Sequence, residues 1–325
     1  MSNHRFPPTS SSGSISEFAR AKINLYLHIT GKRPNGYHEL DSLAVFAQVG
    51  DRLAISLNEK MASGVVSSSE AVLDSGPILR LTGPFAQNLA QVSGGDKRSN
   101  LVFKAARSLS QAVEEKTGQV FPIENLDITL EKNLPIASGI GGGSADAAAV
   151  IRALFILWKI DKLFSPQEIL SCLKAIGADV PVCFQQKAVR MEGIGEILSE
   201  VPILPECGIV LVNPGRAVST PLVFQARKGE FRKKVEYPPQ WKNCEELISF
   251  LKGTSNDLQE AALLVEPVIR DVLESLAKLP QVRLVRMSGS GATCFALFEA
   301  KQEALEAIKR ISHKEWWSWA GSLCI

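Results

Sequence analysis

The sequence has no C-x-x-C pair. Its six cysteines, Cys172, Cys183, Cys207, Cys244, Cys294 and Cys324, are scattered, which argues against both a zinc site and a disulfide framework and makes a reducing compartment the expectation. An excess of either charge is also missing. Lys and Arg number 36 against 34 Asp and Glu, a formal net charge of +2, too small to argue for nucleic acid or a membrane as partner. There is no long hydrophobic run: the best, 147–157, is broken by Arg152 and too short to span a bilayer. Residues 1–17 are polar and Ser-rich, with Pro7-Pro8 and no apolar core. No secretory signal is expected from such a segment. The segment is acid-poor before Glu17, a faint likeness to a transit peptide, but one arginine before Arg20 suits a disordered tail better, and a cytoplasmic location is expected. No internal repeat is visible. With 45% hydrophobic and 22% charged residues over 325 positions, the composition is that of a globular protein long enough for two domains.

What the sequence does have is glycine in one place. Gly139, Gly141, Gly142 and Gly143 lie between a strand-like run, 126–131, and an apolar run, Ala145 to Trp158, free of Gly and Pro and therefore helical. A flexible linker would not run straight into such a helix, with Ser144 as candidate N-cap and Asp146 in its first turn. A glycine loop that opens a helix offers unhindered N–H groups and the positive end of a helix dipole to an anion, and a nucleotide phosphate is expected. Two familiar patterns fail. No Lys-Ser/Thr follows the last glycine, as a P-loop requires, and Ser144 stands where the dinucleotide fingerprint needs its third glycine. The positive charge must therefore come from elsewhere in the chain.

Read in order, Phe18 to Thr30 alternates as a strand, with Ile23, Leu25 and Leu27 on one face and Lys22, Asn24 and Tyr26 on the other, where the pattern favours solvent over a functional role for Lys22 and Asn24. A turn-rich loop then delivers Tyr37 and His38, a pair able to stack on a planar base or simply to lie at the surface. Strands are expected over 40–46 and 51–57, a Ser-, Glu- and Gly-rich surface excursion over 58–77, and a strand over 79–82. Ser99-Asn100 caps a helix ended by Gly118. Ser165-Pro-Gln-Glu168 is a capping box whose helix stops at Gly177. Asp179 follows, either as a turn aspartate or as a site residue, with Val180 forced extended by Pro181. The first domain is expected to end near 187. Strands over 189–197 and 208–212 come next, then a basic, Pro-containing loop at 226–243 whose charges are read as solvated. Helices near 245–252, 256–265 and 267–278 are followed by two strands flanking Ser288-Gly-Ser-Gly291, a helix over 301–311 and a last strand over 321–325.

Three separated segments, Ala19-Arg-Ala-Lys22-Ile-Asn24-Leu, Pro135 to Ala145 and Met287 to Phe295, resemble the three motifs of the GHMP small-molecule kinases. Gly36-Tyr-His-Glu-Leu40, Gly177-Ala-Asp-Val-Pro181, Asn256-Asp-Leu258 and Ser288 to Ala292 are nearer still to the branch of that family that uses a cytidine-diphosphate sugar alcohol in isoprenoid precursor supply. The likeness is collinear from about residue 18 to the end. It implies an α+β fold of two domains: a ribosomal-S5-domain-2-like unit over 18–187 and a ferredoxin-like unit over 188–325, with 1–17 as tail. It implies ATP-dependent phosphorylation of the substrate's 2-hydroxyl. Lys22 and Asp179 would be the catalytic pair, the carboxylate taking or orienting the hydroxyl proton and the ammonium keeping it ionised.

The resemblance further implies that ATP is held by Pro135, Ile136, Ala137, Ser138, Gly139, Ile140, Gly141, Gly142, Gly143, Ser144 and Ala145. Mg²⁺ would bridge the phosphates, with no protein ligand assigned beyond a Ser144 hydroxyl facing the ion or a phosphate oxygen. Cytosine would lie between Tyr37 and Phe224 and be read by His38. Asn24 and Thr220 would add polar contacts, and Gly289 and Gly291 a second close approach. The expected partners are ATP and the small-molecule substrate, with no nucleic acid and no membrane, and the chain is expected as a monomer or weak homodimer. Two alternatives stay open: a homoserine- or mevalonate-type kinase, which the Tyr37-His38 loop and Ala178-Asp179-Val-Pro speak against, and a non-catalytic binding protein of the same fold, against which stands the presence of both Lys22 and Asp179.

Overall fold

A computed structural model describes residues 13–57, 77–92 and 100–324. The segment 1–12, most of the excursion expected at 58–77, and Ser99 lie outside the described residues. The fold is built on a long antiparallel pair, β1 (Ile15–Lys32) and β2 (His38–Leu57), in register from Ile15↔Ile55 to Lys32↔His38. The tail expected through residue 17 therefore ends sooner, because Ile15, Ser16 and Glu17 already pair with Ile55, Ala54 and Leu53. The strands expected at 40–46 and 51–57 are one strand. β-Bulges between Arg20/Lys22, Asn24/Tyr26 and Ile29/Gly31 absorb the irregularity and break the strict alternation of faces. Lys22, Asn24 and Tyr26 are consequently buried at 4%, 2% and 0% exposure rather than facing solvent.

β3 (Ile78–Thr82) runs parallel to β4 (Leu126–Glu131), which pairs antiparallel with the second half of β2. The first half of β2 carries the hairpin β5 (Val189–Gly193) and β6 (Ile197–Ser199). The boundary expected between 187 and 188 thus precedes a hairpin that continues the first sheet. β7 (Gly208–Asn213), β8 (Leu284–Met287), β9 (Cys294–Phe298) and β10 (Trp317–Cys324) follow in the order β10-β7-β9-β8. The end of β10 also pairs with β2 through Leu323↔Ala47 and Cys324↔Phe46, so ten strands form one connected sheet.

The helices are α1 (Ala86–Val92), α2 (Leu101–Thr117), α3 (Gly142–Leu157), α4 (Pro166–Ile176), α5 (Val180–Gln185), α6 (Thr220–Ala226), α7 (Cys244–Lys252), α8 (Gln259–Val265), α9 (Val268–Ala277) and α10 (Lys301–Ala307). Local signals set their ends. Asn100 accepts the Val102 N–H at 3.0 Å and Gly118 ends α2 at φ 72°, and the Ser165/Glu168 capping box forms as the sequence predicts. α10 stops at Ala307 and one 3₁₀ turn follows, Ile308–Arg310, short of the expected Ile311. α3 is the central helix: Ala145 to Ile151 are all buried, packed on the sheet. The expectation for the cysteines is overturned as well. Cys207 and Cys244 are joined as a disulfide, Cα atoms 5.6 Å apart. Their spacing of 37 residues carries no signature. The fold alone brings the approach to β7 against the first turn of α7.

Candidate active site

The loop between β4 and α3 is held mostly by its carbonyl groups. Ile140 O accepts from Lys22 N at 2.9 Å, Ser138 O from Thr293 N at 3.0 Å, and Gly139 O from Ser288 Oγ at 3.1 Å. The chain then turns through Gly141, the N-cap, at φ 67°, and α3 begins at Gly142. Ser144 is therefore the third residue of the helix and not its cap. Asp146 lies beyond the first turn and is buried. The first N–H groups of a helix have no intrahelical acceptor, and here Gly142, Gly143 and Ser144 line a cavity of about 710 Å³.

That cavity gathers residues far apart in sequence. Lys22, Asn24, Asp179, Thr220, Phe224 and Gly289 line it, as do Pro135 to Gly139 and Gly141. Ile140 and Ala145 instead face the core at 0% and 2% exposure, and Tyr37, His38 and Gly291 lie off the lining. The second glycine turn packs on the first: a Cβ on Gly289 would lie 2.7 Å from Gly139 O, so its close approach is to the loop.

Lys22 and Asp179 meet at 2.6 Å, the ammonium buried and the carboxylate side chain 34% exposed. Lys22 runs beneath Gly141, whose absent Cβ would touch its Cβ at 3.3 Å and its Cε at 3.6 Å. Asp179 makes no side-chain cap bond, which removes the turn-aspartate reading. Val180 is helical, not extended, because Pro181 sits in the first turn of α5, where a missing N–H leaves nothing unsatisfied. Beside the pair, burial and then Asp179 push the Cys183 thiol up to about 12, leaving it an inert packing group.

A second lysine was not foreseen. Lys132, wholly buried, is ion-paired with Asp51 and, at 2.6 Å, with Asp146. Asp51 Oδ1 also accepts from Asn133 N at 2.6 Å and Leu134 N at 2.8 Å, fixing the entry to the loop. Burial and then the Asp51 charge push Asp146 up to about 7, against the pull of Lys132. Among the described residues, Asp146 Oδ1 has no hydrogen-bond partner. The residues are 81 and 14 positions apart, so no local pattern could have joined them. Asn256 was visible as part of a motif without a role. Its Nδ2 donates to Met287 O and Gly289 O, both at 2.8 Å, and shapes the second turn.

At the other wall, His38 stacks on Phe224 with centroids 5.3 Å apart and planes 26° from parallel. Partial burial, then Lys32 and Arg227, lower its pKa, favouring the neutral imidazole. Tyr37 is 60% exposed. Asn24 donates from Nδ2 to Ser42 Oγ at 2.8 Å, while its Oδ1 is buried without a partner among the described residues. Thr220 Oγ1 and Ser290 Oγ are 2.7 Å apart.

Two models of one family match the chain. Residues 100–187 match the GHMP kinases N terminal domain and 240–316 the GHMP kinases C terminal model. A curated relative from Gluconacetobacter diazotrophicus, 4-diphosphocytidyl-2-C-methyl-D-erythritol kinase, is 47% identical over 96% of this chain and 95% of its own. The protein of that name from Rhodospirillum rubrum is 42% identical over 95% and 93%. The chain belongs to the GHMP kinase family. A crystal structure of 4-(cytidine 5'-diphospho)-2C-methyl-D-erythritol kinase superposes with a TM-score of 0.69 at 29% identity, covering 95% of this chain and 99% of that one. Homoserine kinase from Cytophaga hutchinsonii shares the fold, with a TM-score of 0.62 at 16% identity over 99% and 98%. As a GHMP kinase, the chain is a small-molecule kinase and an ATP user. Among the described residues no helix is long and apolar enough to cross a membrane.

Proposed function

We propose that this chain transfers the γ-phosphoryl group of ATP to the 2-hydroxyl of 4-(cytidine 5'-diphospho)-2-C-methyl-D-erythritol, a step of non-mevalonate isoprenoid supply. The observation that carries the reading is the Lys22–Asp179 pair at 2.6 Å, open to the same cavity as the first turn of α3, in a chain 47% identical to a relative of that name. Asp179 accepts or orients the hydroxyl proton, and Lys22 keeps that carboxylate ionised and stabilises charge at the reacting oxygens. Phosphoryl transfer asks little covalent chemistry of the protein, so positioning dominates. The N–H groups at Gly142, Gly143 and Ser144 hold phosphate. The Ser144 hydroxyl and the Asp179 carboxylate, both on the cavity wall, are hard oxygen donors that would suit Mg²⁺, which would supply charge neutralisation on the phosphates. Cytosine is held by Phe224 and His38, with Tyr37 closing from the exposed side and Asn24 Oδ1 and Thr220 as polar contacts.

The test is ADP release and ³¹P product analysis with this substrate against homoserine and mevalonate. Preference for either of the latter would remove the assignment. Asp179→Asn should lower turnover by about 10²–10⁴-fold while ATP affinity survives; near-normal turnover would take Asp179 out of the mechanism.

A further inference from the structure

We propose that Arg33 is a positioning residue that ties the substrate-facing loop to the segment beside Asp179. Its side chain forks across two carboxylates. Nε donates to Glu39 Oε1 at 3.1 Å and Nη2 to Glu196 Oε1 at 3.2 Å. Each carboxylate belongs to a different part of the site. On one side, the turn bearing Tyr37 closes on the Arg33 backbone: Arg33 N donates to Tyr37 O at 2.7 Å and Gly36 N to Arg33 O at 2.9 Å. Glu39 follows His38 directly at the start of β2, so displacement of Arg33 displaces both Tyr37 and the root of His38.

On the other side, Glu196 belongs to the turn between β5 and β6. Its second oxygen accepts from Ile194 N at 2.5 Å, and Gly195 N donates to Glu192 O at 3.1 Å. Ile194 lines the cavity, and a Cβ on Gly195 would lie 4.0 Å from Asp179 Oδ1. The guanidinium thus spans from the residues offered to the base to those packed beside the reacting carboxylate, a separation of 163 residues in sequence. Two hydrogen bonds from one rigid planar group fix relative orientation as well as distance, which a point-charge ammonium cannot do. Arg33 is a third exposed on its side chain, so its contribution to overall stability is small. Its effect is to order a loop before substrate arrives.

This inference rests on the substrate reading above, and wild-type turnover of the cytidine substrate is the control that separates the two. The variants are Arg33→Ala, Arg33→Lys, Glu196→Gln and the Arg33→Ala/Glu196→Gln double variant. Arg33→Ala should raise KM for the cytidine substrate about tenfold, the scale of one lost charge-assisted hydrogen bond, with KM for ATP and the thermal midpoint near wild type. Arg33→Lys should restore little, and the double variant should be scarcely worse than Arg33→Ala, since both remove one bracket. An unchanged substrate KM, a parallel rise in both KM values, additive losses, or full rescue by lysine would overturn the proposal.

Discussion

Gly139→Ala is the sharpest probe of how the two glycine turns make the site. Gly139 sits at φ 74°, and a Cβ there would meet Ser288 O at 2.5 Å, Gly291 O at 2.7 Å and Gly291 N at 2.8 Å. All three are backbone atoms, so no side chain can swing away. The left-handed conformation costs a non-glycine residue about 1–2 kcal/mol, and forced overpacking typically adds about 1–3 kcal/mol. The variant should therefore lose about 2–5 kcal/mol and separate the loop from the turn that accepts it. Gly143→Ala is the matched control. Its Cβ meets only Leu101 Cδ1 at 3.2 Å, the flexible end of a side chain, with no positive φ, and alanine suits a helix interior better than glycine. Urea denaturation together with ATP titration reads both variants. Gly139→Ala should shift the midpoint and weaken ATP, and Gly143→Ala should hold its midpoint. Equal midpoints for the two would refute the argument that backbone contact fixes the loop.

Phe224→Ala removes a ring stacked on His38 at 5.3 Å. Base–aromatic stacking is worth about 1–3 kcal/mol, so KM for the cytidine substrate should rise while KM for ATP stays; initial-rate kinetics in both substrates checks this. Asp146 binds its proton more tightly in the folded chain, about 7, than at its ordinary value of 3.8. The folded state then holds the extra proton between those values, and the contribution to stability, complete below about pH 4, is lost as pH rises through 7. Asp146→Asn should flatten that part of a plot of denaturation midpoint against pH. An unchanged slope would mean that another group titrates there. The Lys132 pKa is raised too, but its linkage falls above the ordinary lysine range and does not overlap this window.

Elements whose cause is local were legible in sequence: the Ser165 capping box, the Gly118 end of α2, the strand–glycine–helix order at 126–157. What failed depends on distance or on context. Ser144 looks like an N-cap because serine caps well, but Gly141 can adopt a left-handed turn and starts the helix three residues earlier. Val180 looks extended by the rule for residues before proline, but a helix can admit proline in its first turn. Lys22 and Asn24 look solvated by alternation, and bulges together with cover on both faces bury them. Lys132, Asp51 and Asp146 could not have been grouped from spacing, and neither could Cys207 with Cys244. The Lys22–Asp179 pair was reached only through the likeness of whole motifs, since 157 residues separate its members.

Under the proposed function, the arrangement of charge explains how the glycine loop could hold phosphate without a lysine of its own. Lys132 lies directly under the loop, 3.2 Å from where a Cβ on Gly142 would be, but it is shared between two carboxylates. With every group ionised that cluster is net negative and offers an incoming phosphate no attraction. With Asp146 raised to about 7, the cluster keeps about half a negative charge near neutral pH, and Lys22 is balanced one-to-one by Asp179. These side chains therefore supply no net positive charge to the loop. What remains for phosphate is the first N–H groups of α3 and its dipole, a directional but modest attraction. A free lysine in the loop would bind phosphate more strongly and would compete with the hydroxyl for Asp179. Under the proposed function, confining Lys22 to β1, beneath Gly141, commits that cation to Asp179 and leaves the glycine loop to hold the nucleotide.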